Sequence, residues 1–230
     1  MAEKKADPAE MQDPLLRAKS LWDKYNKPIL IGIAAIVLIV GGWYAYQSYV
    51  VLPKEDQASD AIFKAQQYFA KDSFNLALNG DGKNKGFLSI ISNYSGSKQA
   101  NLSKYYAGVC YLKTGNFNKA VEYLNDFTTD AKQIQMMAYG CLGDAYSELG
   151  KNDDAVTYYK KAAETFDGDD VNAPEYLFRA ALKLETMGKN TEAVALYKQL
   201  KEKYPNSEHG YQADKYIYRL SIEPNDFSTK

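Results

Sequence analysis

Tyr139-Gly-Cys-Leu142-Gly143-Asp-Ala-Tyr146 runs into the turn Gly150-Lys-Asn-Asp-Asp-Ala155 and on to Tyr159 and Ala162. On a 3.6-residue helix, Tyr139, Leu142, Gly143 and Tyr146 share one face, and Ala155, Tyr159 and Ala162 share one face of a second helix. A Gly takes the left-handed conformation that ends a helix, and Asn, Asp or Thr in the turn offers an oxygen to cap the next. The stretch therefore predicts a helical hairpin, closed where small residues let the two backbones approach and rings fill the space beside them.

Two further copies flank it, with turns at Gly115-Asn-Phe-Asn-Lys-Ala120 and Gly188-Lys-Asn-Thr-Glu-Ala193. The earlier copy keeps Gly108, Tyr111, Ala120 and Leu124 but has Lys104 and Ala107 in the slots of Tyr139 and Leu142. The later copy has Leu177, Ala180, Ala181, Leu184, Ala193, Tyr197, Leu200 and a terminating Pro205. Equivalent slots Tyr111, Tyr146 and Leu184 are 35 and then 38 residues apart. The middle copy resembles the tetratricopeptide repeat, of about 34 residues, almost slot for slot, with Tyr139 in the usual Trp place, followed by the Leu-Gly pair and Tyr146, then Ala155 and Tyr159. The resemblance implies an α-solenoid. Tyr94-Ser-Gly-Ser97 mirrors Tyr204-Pro-Asn-Ser207, so 86–94 reads as the second helix of a degenerate first repeat whose first helix is 57–74. Glu208 to Ser221 suits the capping helix that shields a solenoid's last apolar face.

From Pro28 to Leu52 there is no charged residue, whereas both flanks are densely charged. At 1.5 Å per residue this run crosses the roughly 30 Å hydrocarbon core of a bilayer. Trp43, Tyr44, Tyr46 and Tyr49 mark one interface, and Trp22 and Tyr25 the other. The length of the run, and the lack of a small-x-small site after Gly42, favour an uncleaved anchor over a signal peptide. Arg17, Lys19, Lys24 and Lys27 before the span outnumber Lys54 and Lys64 after it, which puts the N-terminus in the cytoplasm. The expected organisation is a cytoplasmic tail over 1–27, with a short interfacial helix over 14–25, and a transmembrane signal-anchor helix over 28–50. A linker helix and degenerate repeat over 51–97 follow, then three repeats with a cap over 98–222 and a flexible tail over 223–230. The fold class is all-α.

With 28 basic and 29 acidic side chains in 230 residues, the net charge of −1 gives no reason to expect a nucleic-acid partner. Two Cys and one His fall short of a structural zinc site. Asp153-Asp154 and Asp169-Asp170 sit at turns, where capping and solubility explain them. His209 has no Ser or Cys at a telling spacing. The glycine-rich stretch 78–86 lacks the terminal Gly-Lys-Ser/Thr of a phosphate loop and the Gly and Glu of a calcium loop, so it reads as a solvated connector. Cys110 and Cys141, on neighbouring first helices, read as small apolar packing residues rather than a bridge. No catalytic residue, metal, cofactor or small-molecule substrate is expected, and the chain reads as a non-enzyme.

A helical solenoid binds peptides or domains on a concave face built from its first helices. The residues turned away from the hairpin contact include Tyr105, Val109 and Leu112, then Met137, Gly140 and Asp144, then Glu175, Phe178, Leu182 and Glu185. The expected partner groove is apolar, anchored by Tyr105, Met137 and Phe178, with an acidic rim at Asp144, Glu175 and Glu185. Tetratricopeptide domains that clamp acidic chaperone tails carry Lys, Asn and Arg where this chain has Tyr105 and Val109, which argues against that role. One cytoplasmic tail, one span and an exported repeat domain together resemble the ancillary-subunit family of the bacterial Sec translocon. That resemblance implies an inner-membrane protein with its C-terminal domain in the periplasm. Its implied partners are Sec translocon subunits and a membrane-anchored periplasmic prolyl isomerase or chaperone, and its implied role is to assist newly exported proteins. The alternative is an envelope scaffold for cell division or outer-membrane assembly.

Overall fold

A computed structural model describes residues 14–166 and 168–222. The first thirteen residues of the expected cytoplasmic tail, the expected flexible tail over 223–230, and Asp167 of the loop before the third hairpin lie outside these described residues. The chain forms two compact units, Met1–Lys54 and Glu55–Lys230. Among the described residues the secondary structure is helical, with no strand and only an isolated bridge between Gly80 and Lys85.

In the first unit, α1 (Pro14–Tyr46) holds the apolar run and passes through Pro28. It is long and apolar enough to cross a membrane, and its apolar window is wholly unburied. A π-helical turn, Gln47–Val51, follows, closed by Leu52 N–H donating to the Gln47 carbonyl. Pro53 is the physical reason for that turn. It has no N–H, and its ring would crowd the carbonyl four residues back, a conflict that the wider helix relieves.

The second unit contains α2 (Leu52–Phe69) from Glu55 onward, then α3 (Phe74–Asn79), α4 (Phe87–Asn93), α5 (Lys98–Lys113), α6 (Phe117–Asn125), α7 (Lys132–Glu148), α8 (Asn152–Thr165), α9 (Asn172–Thr186), α10 (Asn190–Lys203) and α11 (Glu208–Ser221). From α4 onward each helix packs on the next, and first helices also meet across repeats, α5 with α7 and α9 with α11. The three expected hairpins are α5/α6, α7/α8 and α9/α10. Their turns share one geometry. Gly115, Gly150 and Gly188 stand at φ +77°, +70° and +72°. The N–H of each Gly donates three residues back, to Leu112, Ser147 and Glu185, while the next N–H donates five back, to Tyr111, Tyr146 and Leu184. This Schellman pattern needs a left-handed residue, which Gly adopts without steric cost. The expected side-chain caps are absent from these turns: the N-cap positions hold Asn116, Lys151 and Lys189, and none accepts a capping hydrogen bond. The turn is so short that the residue whose N–H completes the Schellman pair of one helix is already the N-cap of the next, which leaves Asn152 and Asn190 one position inside their helices.

The first repeat differs from expectation in an informative way. Its first helix ends at Phe69, and Asp72, at φ +54°, is the only non-Gly residue with positive φ among the described residues. Asp72 N–H donates to Phe69 and Ser73 N–H to Tyr68, the same Schellman pair. Asp72-Ser-Phe-Asn-Leu-Ala77 is therefore a fourth copy of the hairpin turn, with Asp in the Gly slot and Ala77 fully buried. The glycine-rich loop does not connect two helices of a hairpin. It interrupts the second helix, so that α3 and α4 are its two halves. Asp81 locks the loop by accepting from Lys83 N–H, Asn84 N–H, Asn84 Nδ2 and the Tyr68 hydroxyl. These hydrogen bonds, led by the one from Tyr68, hold its carboxyl well below the usual range.

The mirror of Tyr94–Ser97 and Tyr204–Ser207 holds in detail. Ser97 and Ser207 are N-caps at ψ 156° and 157°, and their hydroxyls accept from Ala100 and Gly210 N–H respectively, each at 3.0 Å. By this register α11 is the first helix of a further repeat, and its bounds match the expected cap. Gly108 of α5, which meets its own second helix, corresponds to Tyr218 of α11, which is exposed. A bulky ring thus stands where a further second helix would need a small residue. The core runs the length of the unit in two clusters, Ile62 to Ala145 and Ala155 to Tyr204, both packed against Tyr146.

Candidate functional site

The candidate groove lies on the first helices α5, α7, α9 and α11. Tyr105, expected as an apolar anchor, and Val109, expected in the groove beside it, are only 9% and 7% exposed, with the Tyr105 ring against Tyr106 and Phe127. Burial drives the Tyr105 pKa far above that of a free phenol. Gly140, expected in the same groove, is covered as well, because the Tyr176 ring occupies the space that a Cβ there would need. First helices of adjacent repeats pack closely enough for large side chains pointing along the face to reach across the seam. Leu112 is half-buried and lines a cavity of about 440 Å³ with Lys113, Phe117, Asp144 and Glu148. Met137 and Leu182 are the exposed apolar members, each at 41%.

The three acidic positions are each engaged within the fold. Asp144 accepts from the Tyr159 hydroxyl at 2.7 Å and from Arg179 Nη1 at 3.0 Å. Glu175 accepts from Arg179 Nε at 2.7 Å and lies 2.7 Å from His209 Nε2. Glu185 accepts from Arg219 Nη2 at 2.6 Å and from the Tyr197 hydroxyl at 3.1 Å. Phe178 is half-buried, its ring stacked on His209 with centroids 4.0 Å apart and planes 6° from parallel, and its edge against Tyr216. The face is thus a relay, Tyr159–Asp144–Arg179–Glu175–His209, that ties α7 and its partner α8 to α9 and α11. What read as an acidic rim is tied into ion pairs: Arg179 serves both Asp144 of the preceding repeat and Glu175 of its own helix, and Arg219 of α11 serves Glu185.

The electrostatics follow from these contacts. Burial would raise the Glu175 pKa, yet hydrogen bonds from Arg179 and His209 outweigh it and hold the carboxyl below its usual value. Burial would likewise weaken Arg179 as a cation, but the Glu175 hydrogen bond and the charges of Asp144 and Glu175 raise its pKa. Burial pushes the Tyr176 hydroxyl and the Cys141 thiol both up to about 12. Cys110 is fully buried, and both cysteines are free thiols. Among the described residues no group of His, Cys, Asp and Glu is placed to hold a metal ion.

Sequence reasoning missed Arg179, His209, Arg219 and Tyr176. Arg179 left a signal, four residues after Glu175 on the same helix. His209 and Arg219 left none, because each meets an acid 34 residues away in sequence.

Repeated helical hairpins with Gly turns, small-residue contacts and a capping helix define a tetratricopeptide-type interaction solenoid. Residues 19–142 match a tetratricopeptide repeat-like domain and residues 142–208 a tetratricopeptide repeat. The first match covers more than half of the chain, and the chain belongs to the tetratricopeptide repeat-like family. No curated protein matches it.

Proposed function

We propose that this protein is a membrane-anchored, non-enzymatic interaction module, an accessory subunit of the Sec export channel. It assists newly exported proteins together with a periplasmic chaperone or prolyl isomerase. The observation that carries the reading is the pairing of one unburied helix of membrane-crossing length with a solenoid of an interaction family. In this reading α1 is an uncleaved anchor with the N-terminus in the cytoplasm, and residues 55–230 work in the periplasm. The docking surface centres on Met137 and Leu182, flanked by Leu112 and the half-buried Phe178. Confinement of both partners to one membrane lets even weak groove binding suffice through a raised effective concentration.

Purification of the tagged protein in mild detergent, with its companions identified, tests the assignment. Channel subunits support it, whereas division or outer-membrane assembly factors replace it with an envelope scaffold. Single Cys probes at positions 7 and 230, in a Cys-free background with an impermeant thiol reagent, test the topology. Labelling at 7 but not 230 in intact inner-membrane cells reverses the orientation and removes the translocon reading.

A further inference from the structure

The helix α1 begins fourteen residues before Pro28, and this leading part has a surface of its own. Ala18, Leu21, Trp22, Tyr25, Pro28 and Ile29 line one shallow apolar cavity. Their spacing of three and four residues puts them on one stripe, which runs without a break onto the apolar surface of the span. Leu21 is 58% exposed and Trp22 49%. Lys19, Lys24 and Lys27 lie off the stripe, and Asp23 is the only acidic residue between Pro14 and Leu52.

Residues 28–50 already fill a hydrocarbon core of about 30 Å, so at about 1.5 Å per residue a straight α1 would carry roughly 20 Å of this striped helix into water. Pro28 sits at the junction. It has no N–H for the Lys24 carbonyl, and its ring crowds that carbonyl, so the helix is weakest where a bend would turn the stripe toward the bilayer.

We infer that residues 15–27 form a lipid-surface helix, hinged at Pro28, that seats on an anionic leaflet. Leu21, Trp22 and Tyr25 enter the boundary between headgroups and acyl chains. Lys19, Lys24 and Lys27 meet the phosphates of acidic lipids. Charge complementarity selects this occupant: an excess of basic side chains beside an apolar stripe matches an acidic lipid surface better than a neutral one. The inference rests on reading α1 as an anchor, and its test separates the two.

The full chain carrying Trp43→Phe leaves Trp22 as the sole Trp, since the sequence has two. It is reconstituted, at less than one chain per vesicle, into phosphatidylcholine alone or with about one third phosphatidylglycerol. Flotation reports anchoring, and acrylamide present on both sides of the membrane reports the exposure of Trp22. The expected result is flotation in both lipids, with the quenching constant about threefold lower in the anionic vesicles. Lys19→Glu, Lys24→Glu and Lys27→Glu together should abolish that difference while flotation persists. Flotation with Trp22 equally quenched in both lipids overturns the surface helix and leaves the anchor standing, whereas failure to float overturns the anchor as well. The measurement is repeated at several chains per vesicle, and shielding that arises only there assigns the stripe to a second copy and also overturns the inference.

Discussion

Gly143→Ala should destabilise the solenoid, although Ala is the better helix former by about 0.8–1 kcal/mol. A Cβ at position 143 would stand 2.5 Å from both Cδ1 and Cε1 of Tyr159, closer than carbon atoms pack. The Tyr159 ring cannot easily yield, because it is 5% exposed and its hydroxyl donates to Asp144 at 2.7 Å. Overpacking of this kind costs about 1–3 kcal/mol, and losing a hydrogen bond to a charged group about 1.5–3 kcal/mol. Against the propensity gain the net loss is about 2 kcal/mol, or about 4–8 °C in melting temperature for a domain of this size. The assay is thermal unfolding of residues 55–230 followed by circular dichroism, run as a double-mutant cycle with Tyr159→Ala. That substitution alone costs about 3–5 kcal/mol, but it empties the space that the new methyl group needs. Gly143→Ala should then become neutral or stabilising, a coupling of about 2–3 kcal/mol. An unchanged or raised melting temperature for Gly143→Ala alone would refute the close approach of α7 and α8. Equal losses in both backgrounds would show that Tyr159 is not the obstacle.

Asp72 occupies a left-handed slot that favours Gly, so Asp72→Gly should raise the melting temperature by about 2–4 °C and Asp72→Val should lower it, checked by the same thermal scan. The Glu175 carboxyl titrates below its unfolded value, so its contribution is present above about pH 4.5 and is lost as the pH falls through the depressed folded pKa. The gap in melting temperature between the parent and Glu175→Gln should therefore be widest near neutrality and narrow toward pH 3; a constant gap would mean that the relay does not hold the ionised form. Tyr105→Asp places a charge in the core and should lower the melting temperature by more than about 10 °C. Met137→Asp with Leu182→Asp should shift it by less than about 2 °C yet weaken crosslinking to an exported partner, and retained crosslinking in that folded variant would move recognition away from these first helices.

Much of the fold was legible because its signals are local. A Schellman turn needs a left-handed residue within a few positions of the helix it ends, so Gly115, Gly150 and Gly188 mark three hairpins in sequence alone. An uncharged run such as 28–52 declares its length and polarity without reference to any neighbour, and the Ser97 and Ser207 caps depend only on residues three ahead. The degenerate first repeat was legible, but its turn escaped because Asp72 serves in place of Gly, and its second helix reads short because Asp81 holds a loop inside it, where composition alone suggests a connector. The candidate groove was the least legible part. Whether Tyr105 faces solvent or Phe127, whether Tyr176 covers Gly140, and whether Asp144, Glu175 and Glu185 remain bare acids depends on how closely one repeat stacks on the next. The partners Arg179, His209 and Arg219 come from helices brought alongside by that stacking. The sequence by itself determined the repeating hairpin and the apolar helix, since both rest on backbone geometry and local polarity. Only the tertiary structure decided which first-helix side chains remain exposed, because contacts between residues some 34 positions apart are set by packing rather than by spacing.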